Sequence, residues 1–393
     1  MVLRDKGQRE ARVLTVAGEI VVERRYFWRA ETGGRMPSDE SLGITGSRIS
    51  PGAMEILCRL AMNEDFVSAA EDARRIGGLP IGKERLRQAV EAEGAKVAKA
   101  RESGELKASW TADEAVVEGT STRRVYAGID GVMAPMVTQA EKDKRRRDQT
   151  TRRQQWSRQG VGNIKPLAPA RPGHEERFRE MKIGVFYDQS KTHRHVLATE
   201  HRCGAFAALF KTYAAQLNLA KATELLSLTD GAGWILNVLC TSLTGLMAML
   251  LDIFHLSEHL HAAAKDCLGD TLEARLWVQS RLTELKTVGI RPLFKAIDEL
   301  TRSMRSPKKR EQLRILKDYA LKRFEMLDYR AALAKGWDIG SGPTEAMCKT
   351  LTLRLKRSGM KWDADHAAAM MTLLAMRESN QHQQWWAMRA RAA

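Results

Sequence analysis

The sequence has no apolar run long enough to cross a membrane: the longest, Gly245 to Leu251, is far short of the roughly 20 residues a spanning helix needs. The first residues, MVLRDKGQRE, lack the apolar core of a secretory signal peptide. Cysteine is scarce: Cys58, Cys203, Cys240, Cys267 and Cys348 are scattered, with no Cys-x-x-Cys pair. That argues against a disulfide framework and against a Cys-based zinc site, and it fits a reducing compartment. No period of 20–50 residues appears, so a solenoid is excluded. Acidic residues are the minority, 48 Asp+Glu against 64 Lys+Arg, giving a net charge of +16 and a pI near 9.8. Such an excess favours a polyanionic partner, nucleic acid before an anionic membrane surface.

What is present is globular. Hydrophobic residues make up 44 % and charged residues 28 % of 393, which excludes a largely disordered chain. At about 150 residues per domain, the length fits two to three.

Residues 11–28 alternate through Val13, Leu14, Val16, Ile20–Val22 and Tyr26–Trp28 around Gly18, which predicts a β-hairpin. Ser50-Pro51 starts a helix with Met54, Leu57, Leu60 and Ala61 on one face. Phe66 to Ile76 is a second helix, and Lys83 to about Val97 a third, after a turn at Leu79–Gly82. The trio resembles a helix-turn-helix module, with Lys83, Arg85, Arg87 and Gln88 where a recognition helix would touch DNA. A helical packing or dimerisation unit is the alternative.

Val125 to Met133 is an apolar strand interrupted by Asp130. Residues 141–158 hold eight Lys/Arg, among them Arg145, Arg146 and Arg147, against three Asp/Glu, and read as a basic loop or arm. Lys182 to Asp188 and His195 to Thr199 are β-rich, and Ala205 to Leu217 is helical. Leu225 to Leu228 runs into Thr229-Asp230-Gly231, Trp234 to Leu243 is a helix, and Leu246 to Phe254 is a last apolar strand. The order is β-β-β-α-β-α-β. Residues 255–333 read as helical, and Thr344 to Leu355 forms an amphipathic helix after the loop Gly336–Pro343.

Asp130 and Asp230 each end an apolar strand and precede a glycine, which leaves room for an approaching ligand. Asp-Gly is also a turn signal. Taken together with the element order, the pair has the layout of a ribonuclease H-like domain, which adds a third carboxylate from a later helix. Glu345, in the first turn after Gly340-Ser341-Gly342-Pro343-Thr344, fits. Residues 349–361 carry Lys349, Arg354, Lys356, Arg357 and Lys361 and no acid. Lys349 is four residues after Glu345, on the same helical face, and Lys356 at i+7 extends the stripe.

Ordered motifs resemble those of insertion-sequence DDE transposases of the Kra group, relatives of the Lre-type and Mutator-like enzymes. Gly340 to Lys349 with Arg354-Leu355-Lys356-Arg357-Ser358-Gly359-Met360-Lys361-Trp362 is similar to their "GSG-x-x-E…K…R-x-K-x-(S/T)-G-M-x-W" signature. Gly128–Gly131 and Thr229–Ile235 resemble their two aspartate motifs, and Leu251–His255 with Glu258-His259-Leu260 their "D-x-x-H…EHL" block. Pro37 to Ile44 resembles "P-x-D-E-x-L-G". The resemblance spans about Arg12 to Trp386. One departure is the absence of the Cys-x-x-Cys often found before that proline, so the N-terminal region is expected to hold without metal or to be remodelled.

The resemblance implies an enzyme that binds the terminal inverted repeats of its element, cleaves DNA by two-metal phosphodiester hydrolysis and transfers the 3′-OH ends to target DNA. It implies two Mg²⁺ ions per site, with Mn²⁺ as a substitute, held by Asp130, Asp230 and Glu345. His255 would position the scissile phosphate; a structural Asp252–His255 pair is the alternative. His259 and His261 read as structural, and Trp234 as core. The basic stretch 302–323, including Lys308, Lys309 and Arg310, lies in a helical insertion that in related transposases holds end DNA or a partner subunit.

The expected partners are double-stranded DNA and at least one further copy of the chain, in the bacterial cytoplasm with the nucleoid and with no membrane. The expected architecture is α/β: a β-hairpin region (1–48), a helix-turn-helix-like DNA-binding domain (49–118), a ribonuclease H-like core (119–255, basic arm 139–173), an all-helical insertion (256–335) and the rest of the core (336–393). A metal-dependent nuclease or resolvase of the same fold, or a non-catalytic DNA-binding protein, are the competing functions.

Overall fold

The computed structural model describes residues 4–391 except 32, 45, 161, 163 and 165. Strands β1 (Arg4–Thr15), β2 (Gly18–Arg29) and β3 (Gly33–Arg35) form an antiparallel sheet in that order. The expected hairpin is there, with Thr15 opposite Gly18. A one-turn helix α1 (Pro37–Ser41) follows. Its acids have local partners: Asp39 forms a 2.5 Å ion pair with the buried Arg24, and Glu40 accepts two bonds from Arg35.

Helices α2 (Pro51–Asn63), α3 (Phe66–Arg75) and α4 (Lys83–Glu102) come next. Ser50 and Asp65 cap the first two, each accepting from backbone N–H groups of the opening turn. The unit expected to stand alone at 49–118 does not have a core of its own. Leu57, Leu86, Val90 and Val97 share one hydrophobic cluster with Tyr126, Ile183 and Met371 of the central sheet and its covering helix. The contact is close: a side chain at Gly94 would meet the Ala369 carbonyl oxygen at 2.5 Å.

The central sheet is mixed. It is built from β4 (Arg124–Pro135), β5 (Phe178–Asp188), β6 (Arg194–Thr199), β7 (Glu224–Thr229) and β8 (Leu246–Leu251), ordered β6-β5-β4-β7-β8. β4, β5 and β6 are antiparallel neighbours; β7 and β8 join parallel to β4. Alternation along β4 sends Val125, Ala127 and Ile129 to one face and Tyr126, Val132 and Ala134 to the other, so both faces are covered.

The basic segment after β4 is a helix rather than a loop: α5 (Gln139–Arg158) buries none of its residues. A reciprocal capping box between Thr138 and Glu141 starts it, and its Lys, Arg and Gln content propagates it without packing. Helices α6 (Cys203–Gln216) and α7 (Gly233–Ser242) cover the first face. Helices α8 (Ile253–Leu268), α9 (Leu272–Thr287), α10 (Arg291–Ser303), α11 (Pro307–Leu321) and α12 (Tyr329–Ala334) form the insertion around a separate core that includes Leu260, Val278, Ile297 and Leu316. The chain returns as α13 (Gly342–Leu353), α14 (Ala364–Glu378) and α15 (His382–Arg391). Among the described residues no helix is long and apolar enough to cross a membrane.

Candidate active site

Asp130 sits inside β4 rather than at its end, because the strand continues to Pro135 along β5; it is on the same face as Gly128 and Tyr126, two and four residues before it, facing α13. Gly128 makes this approach feasible, because an added Cβ would stand 1.9 Å from Thr344 Oγ1. One helical turn after Thr344, the Cys348 thiol donates to Asp130 Oδ2 at 3.3 Å. The other oxygen, Oδ1, accepts from Gly131 N–H at 2.7 Å. Asp230 lies just past β7 in a turn that Gly231 closes at φ +74°. Its Oδ1 accepts from Ala232 N–H at 2.8 Å. Glu345 enters from the first turn of α13, where the macrodipole favours an anion.

These three carboxylates line one cavity of about 280 Å³ with Asp252, Phe254, His255, Glu258 and Ser341. The structure thus brings together Asp130, Asp230, Glu345 and His255, residues spread over more than half the chain. Burial pushes the Asp130 carboxyl above the ordinary range, and the Asp230 charge adds to it, against the Cys348 and Gly131 bonds. Burial also raises Glu345, followed by Asp252 and, more weakly, Asp130, with Ser341 opposing. The thiol of Cys348 is held protonated by burial and by the Asp130 charge.

Asp252 does not pair with His255. It caps α8, with Oδ1 accepting from Phe254 N–H at 2.7 Å, while Oδ2 accepts from Ser341 N–H at 3.1 Å and from the Ser341 hydroxyl. Only 2 % of Asp252 is exposed. This carboxylate therefore locks the start of α8 to the loop that launches Glu345. Asp252→Ala is expected to lose about 2–4 kcal/mol of stability, since a cap disappears and buried donors are left unpaired. Urea denaturation reads this directly. His255 instead faces Glu258 at 3.6 Å and the His259 ring at 5.2 Å. His259 stacks on Tyr319 at 3.9 Å, in keeping with a structural role. Trp234 is half-buried against the sheet's first-face core, under Lys182.

The basic residues divide. Lys83, Arg145, Arg147, Lys308, Lys349 and Lys356 are exposed. Arg146 is exposed with one bond, to Ala168 O at 2.9 Å. Arg85 lies 3.4 Å from two carbonyls, and Arg87 forks between Glu84 and Glu91 at 2.6 and 2.5 Å. Lys309 and Arg310 donate to the carbonyls of Cys267 and Met304 at 2.6 and 2.7 Å. Arg357 reaches Asn63 O, and Lys361 pairs with Glu141 at the base of α5.

Arg354 departs from the expectation of a phosphate contact. It is 2 % exposed, donates to Ala61 O at 2.7 Å and lies over the Phe66 and Trp362 rings. Burial pushes its pKa down to about 10. α13 ends at Leu353, one residue before it, so Lys356 lies in the following turns and does not continue the Lys349 stripe. The signature tryptophan explains the turn: Trp362 exchanges backbone bonds with Pro135 and Val137, just past β4.

Among the described residues no three His, Cys, Asp or Glu side chains form a ready-made metal cage. A divalent cation fits the site nonetheless. Mg²⁺ keeps several waters and takes one or two carboxylates together with substrate phosphates. The donors here are hard oxygens whose mutual repulsion a cation relieves.

The family model of an uncharacterised protein family, UPF0236, matches residues 2–148, a stretch that includes Asp130 and leaves Asp230, His255 and Glu345 outside. No curated protein matches the chain.

Proposed function

We propose that this chain is a DDE transposase with a ribonuclease H-like catalytic core, akin to the Kra group. It binds the terminal inverted repeats of its insertion sequence, cleaves a phosphodiester and joins the freed 3′-OH to target DNA. The observation that carries this reading is the meeting of Asp130 from within β4, Asp230 just past the parallel neighbour β7 and Glu345 from α13 in one cavity. The mixed strand order, with three antiparallel strands followed by two parallel ones, supports the fold part of the reading.

A bound pair of Mg²⁺ ions, or Mn²⁺, supplies Lewis acidity at phosphorus. Asp130, Asp230 and Glu345 would hold them. His255, at the mouth of α8, has a ring N–H to give a non-bridging phosphate oxygen. Lys349, one turn beyond Glu345, offers a cation to the DNA backbone, and α5 offers a longer basic rail. End pairing calls for at least a dimer.

The test uses the full chain, Mg²⁺ and duplexes taken from the genomic DNA on both sides of its gene. Cutting at an inverted-repeat boundary followed by joining to a second plasmid is the expected result. Cutting without joining would favour a nuclease or resolvase, and binding without cutting a non-catalytic DNA-binding protein.

A further inference from the structure

Arg323 follows α11 in the insertion, 93 positions after Asp230 in sequence, yet it reaches the turn that carries that aspartate. Its Nη2 donates to Gly231 O at 3.0 Å. That carbonyl belongs to the same peptide group as the Ala232 N–H, which donates to Asp230 Oδ1 at 2.8 Å. One peptide plane is therefore held from both ends, by the guanidinium at its oxygen and by the carboxylate at its nitrogen. Rotation of that plane would break both bonds and release the Asp230 side chain.

The guanidinium is itself fixed. It lies 4.0 Å from the centre of the Tyr319 ring, and its Nη1 lies 3.3 Å from Tyr319 O. On its other side the Tyr319 ring stacks with His259, which abuts His255 at the cavity. None of the ion pairs among the described residues engages Arg323 with a carboxylate, so its charge stays directed at the turn. Its Nε is buried without a partner. Gly231 leaves the necessary space, because an added Cβ would stand 2.4 Å from that Nε.

We propose that Arg323 is a positioning residue for Asp230: through the Gly231–Ala232 peptide it fixes the direction of this carboxylate, so that the helical insertion and the carboxylate site act as one unit. A charge at the carbonyl also strengthens the donor at the other end of the peptide, which benefits the bond to Asp230. The meaning of this for DNA cleavage rests on the transposase reading; the claim about the turn does not.

The experiment compares the full chain with Arg323→Ala, Arg323→Gln and Arg323→Lys. Three readouts are taken: the Mg²⁺ concentration giving half of the Mg²⁺-dependent rise in melting temperature, hydrogen exchange at Ala232 N–H, and cleavage of the flanking-DNA duplexes. Outer partners of metal-holding groups change affinity or activity by about 10–100-fold. Arg323→Ala is expected to raise the Mg²⁺ half-point and lower cleavage within that range, and to speed exchange at Ala232. Lys, and to a lesser degree Gln, should restore part of each by supplying a donor to Gly231 O.

An unchanged half-point and exchange rate in a folded Arg323→Ala would overturn the proposal. So would a fall in melting temperature alone, with the Mg²⁺ requirement intact. If Ala fails to fold, Lys and Gln decide the matter by the same readouts: a wild-type half-point in Gln at unchanged cleavage and exchange refutes a role for the guanidinium. If the wild type neither cleaves DNA nor responds to Mg²⁺, the transposase reading fails, while exchange at Ala232 still judges the turn.

Discussion

Asp130→Asn is expected to abolish DNA cleavage and joining, by at least about a thousandfold, equivalent to about 4 kcal/mol of barrier. DNA binding should be unchanged, because the exposed cations lie elsewhere on the surface. Asparagine keeps the shape and one acceptor, enough for Gly131 N–H; its NH2 replaces the oxygen that accepts from Cys348, whose sulfur would then have to accept, so the loss is of the charge and of one weak thiol bond. Asp230→Asn should do the same; surviving cleavage in either variant would remove that residue from the site.

The stability of the same variant should move the other way. Burial, and then the Asp230 charge, raise the native pKa of Asp130 above its unfolded value. The folded state then binds the proton more tightly, so it gains at low pH and loses that gain as pH climbs from the ordinary carboxylate range through the raised value. Glu345 acts with the same sign. At neutral pH without metal the ionised acids are therefore a burden, and Asp130→Asn should melt at the same temperature as the wild type or higher. Mg²⁺ should raise the melting temperature of the wild type more than that of the variant, since a ligand of the native state stabilises in proportion to its affinity. A variant that melts lower at neutral pH would show that Asp130 contributes to folding rather than to chemistry.

Gly128→Ala is expected to lower cleavage about a hundredfold and stability by about 1–3 kcal/mol. The new methyl would fall 1.9 Å from Thr344 Oγ1 and 3.0 Å from its Cβ, so α13 must shift or Thr344 must turn. Glu345 is the next residue, and a displacement of about an ångström in a reacting group is enough for a loss of that order. Thr344 Oγ1 is buried without a hydrogen-bond partner, so Thr344→Ala alone should be almost neutral. The double variant Gly128→Ala/Thr344→Ala should then recover most of both losses. Melting curves and cleavage rates for the four proteins form a double-mutant cycle with a coupling expected at about 1–3 kcal/mol. Additive effects would show that Gly128 and Thr344 do not govern the approach of α13 to β4.

Much of this arrangement is legible in the order of residues. The hairpin, the cap at Ser50, the five central strands and the helical character of the insertion follow from period and from start and stop signals, which depend on residues a few positions apart. Asp130 and Asp230 stand out as acids that interrupt or follow apolar runs and precede a glycine, and Glu345 as the acid in the first turn after Gly340–Thr344. The basic segment at 141–158 carries no such signal along most of its length. With no apolar stripe, its periodicity is silent; the helix α5 rests on a capping box, backbone propensity and a few polar contacts near its start, such as Lys142 with Asp363 and Lys361 with Glu141, and on no buried face.

Sequence by itself therefore determined the local elements, the charge excess and the candidate acids, because each is a property of neighbouring residues. Only the tertiary structure decided which groups meet. It joined the 49–118 helices to the central core through the close approach at Gly94, where a packing partner some 275 positions away has no local trace. It gave Asp252 to Ser341 instead of His255, since a cap residue stands outside its helix and the i+3 face rule does not apply to it. It also turned Arg354 inward from a run of cations whose charges look alike on paper. Burial is set by the long-range packing of Phe66 and Trp362, and burial is what separates a buried guanidinium from one that is free to meet a phosphate.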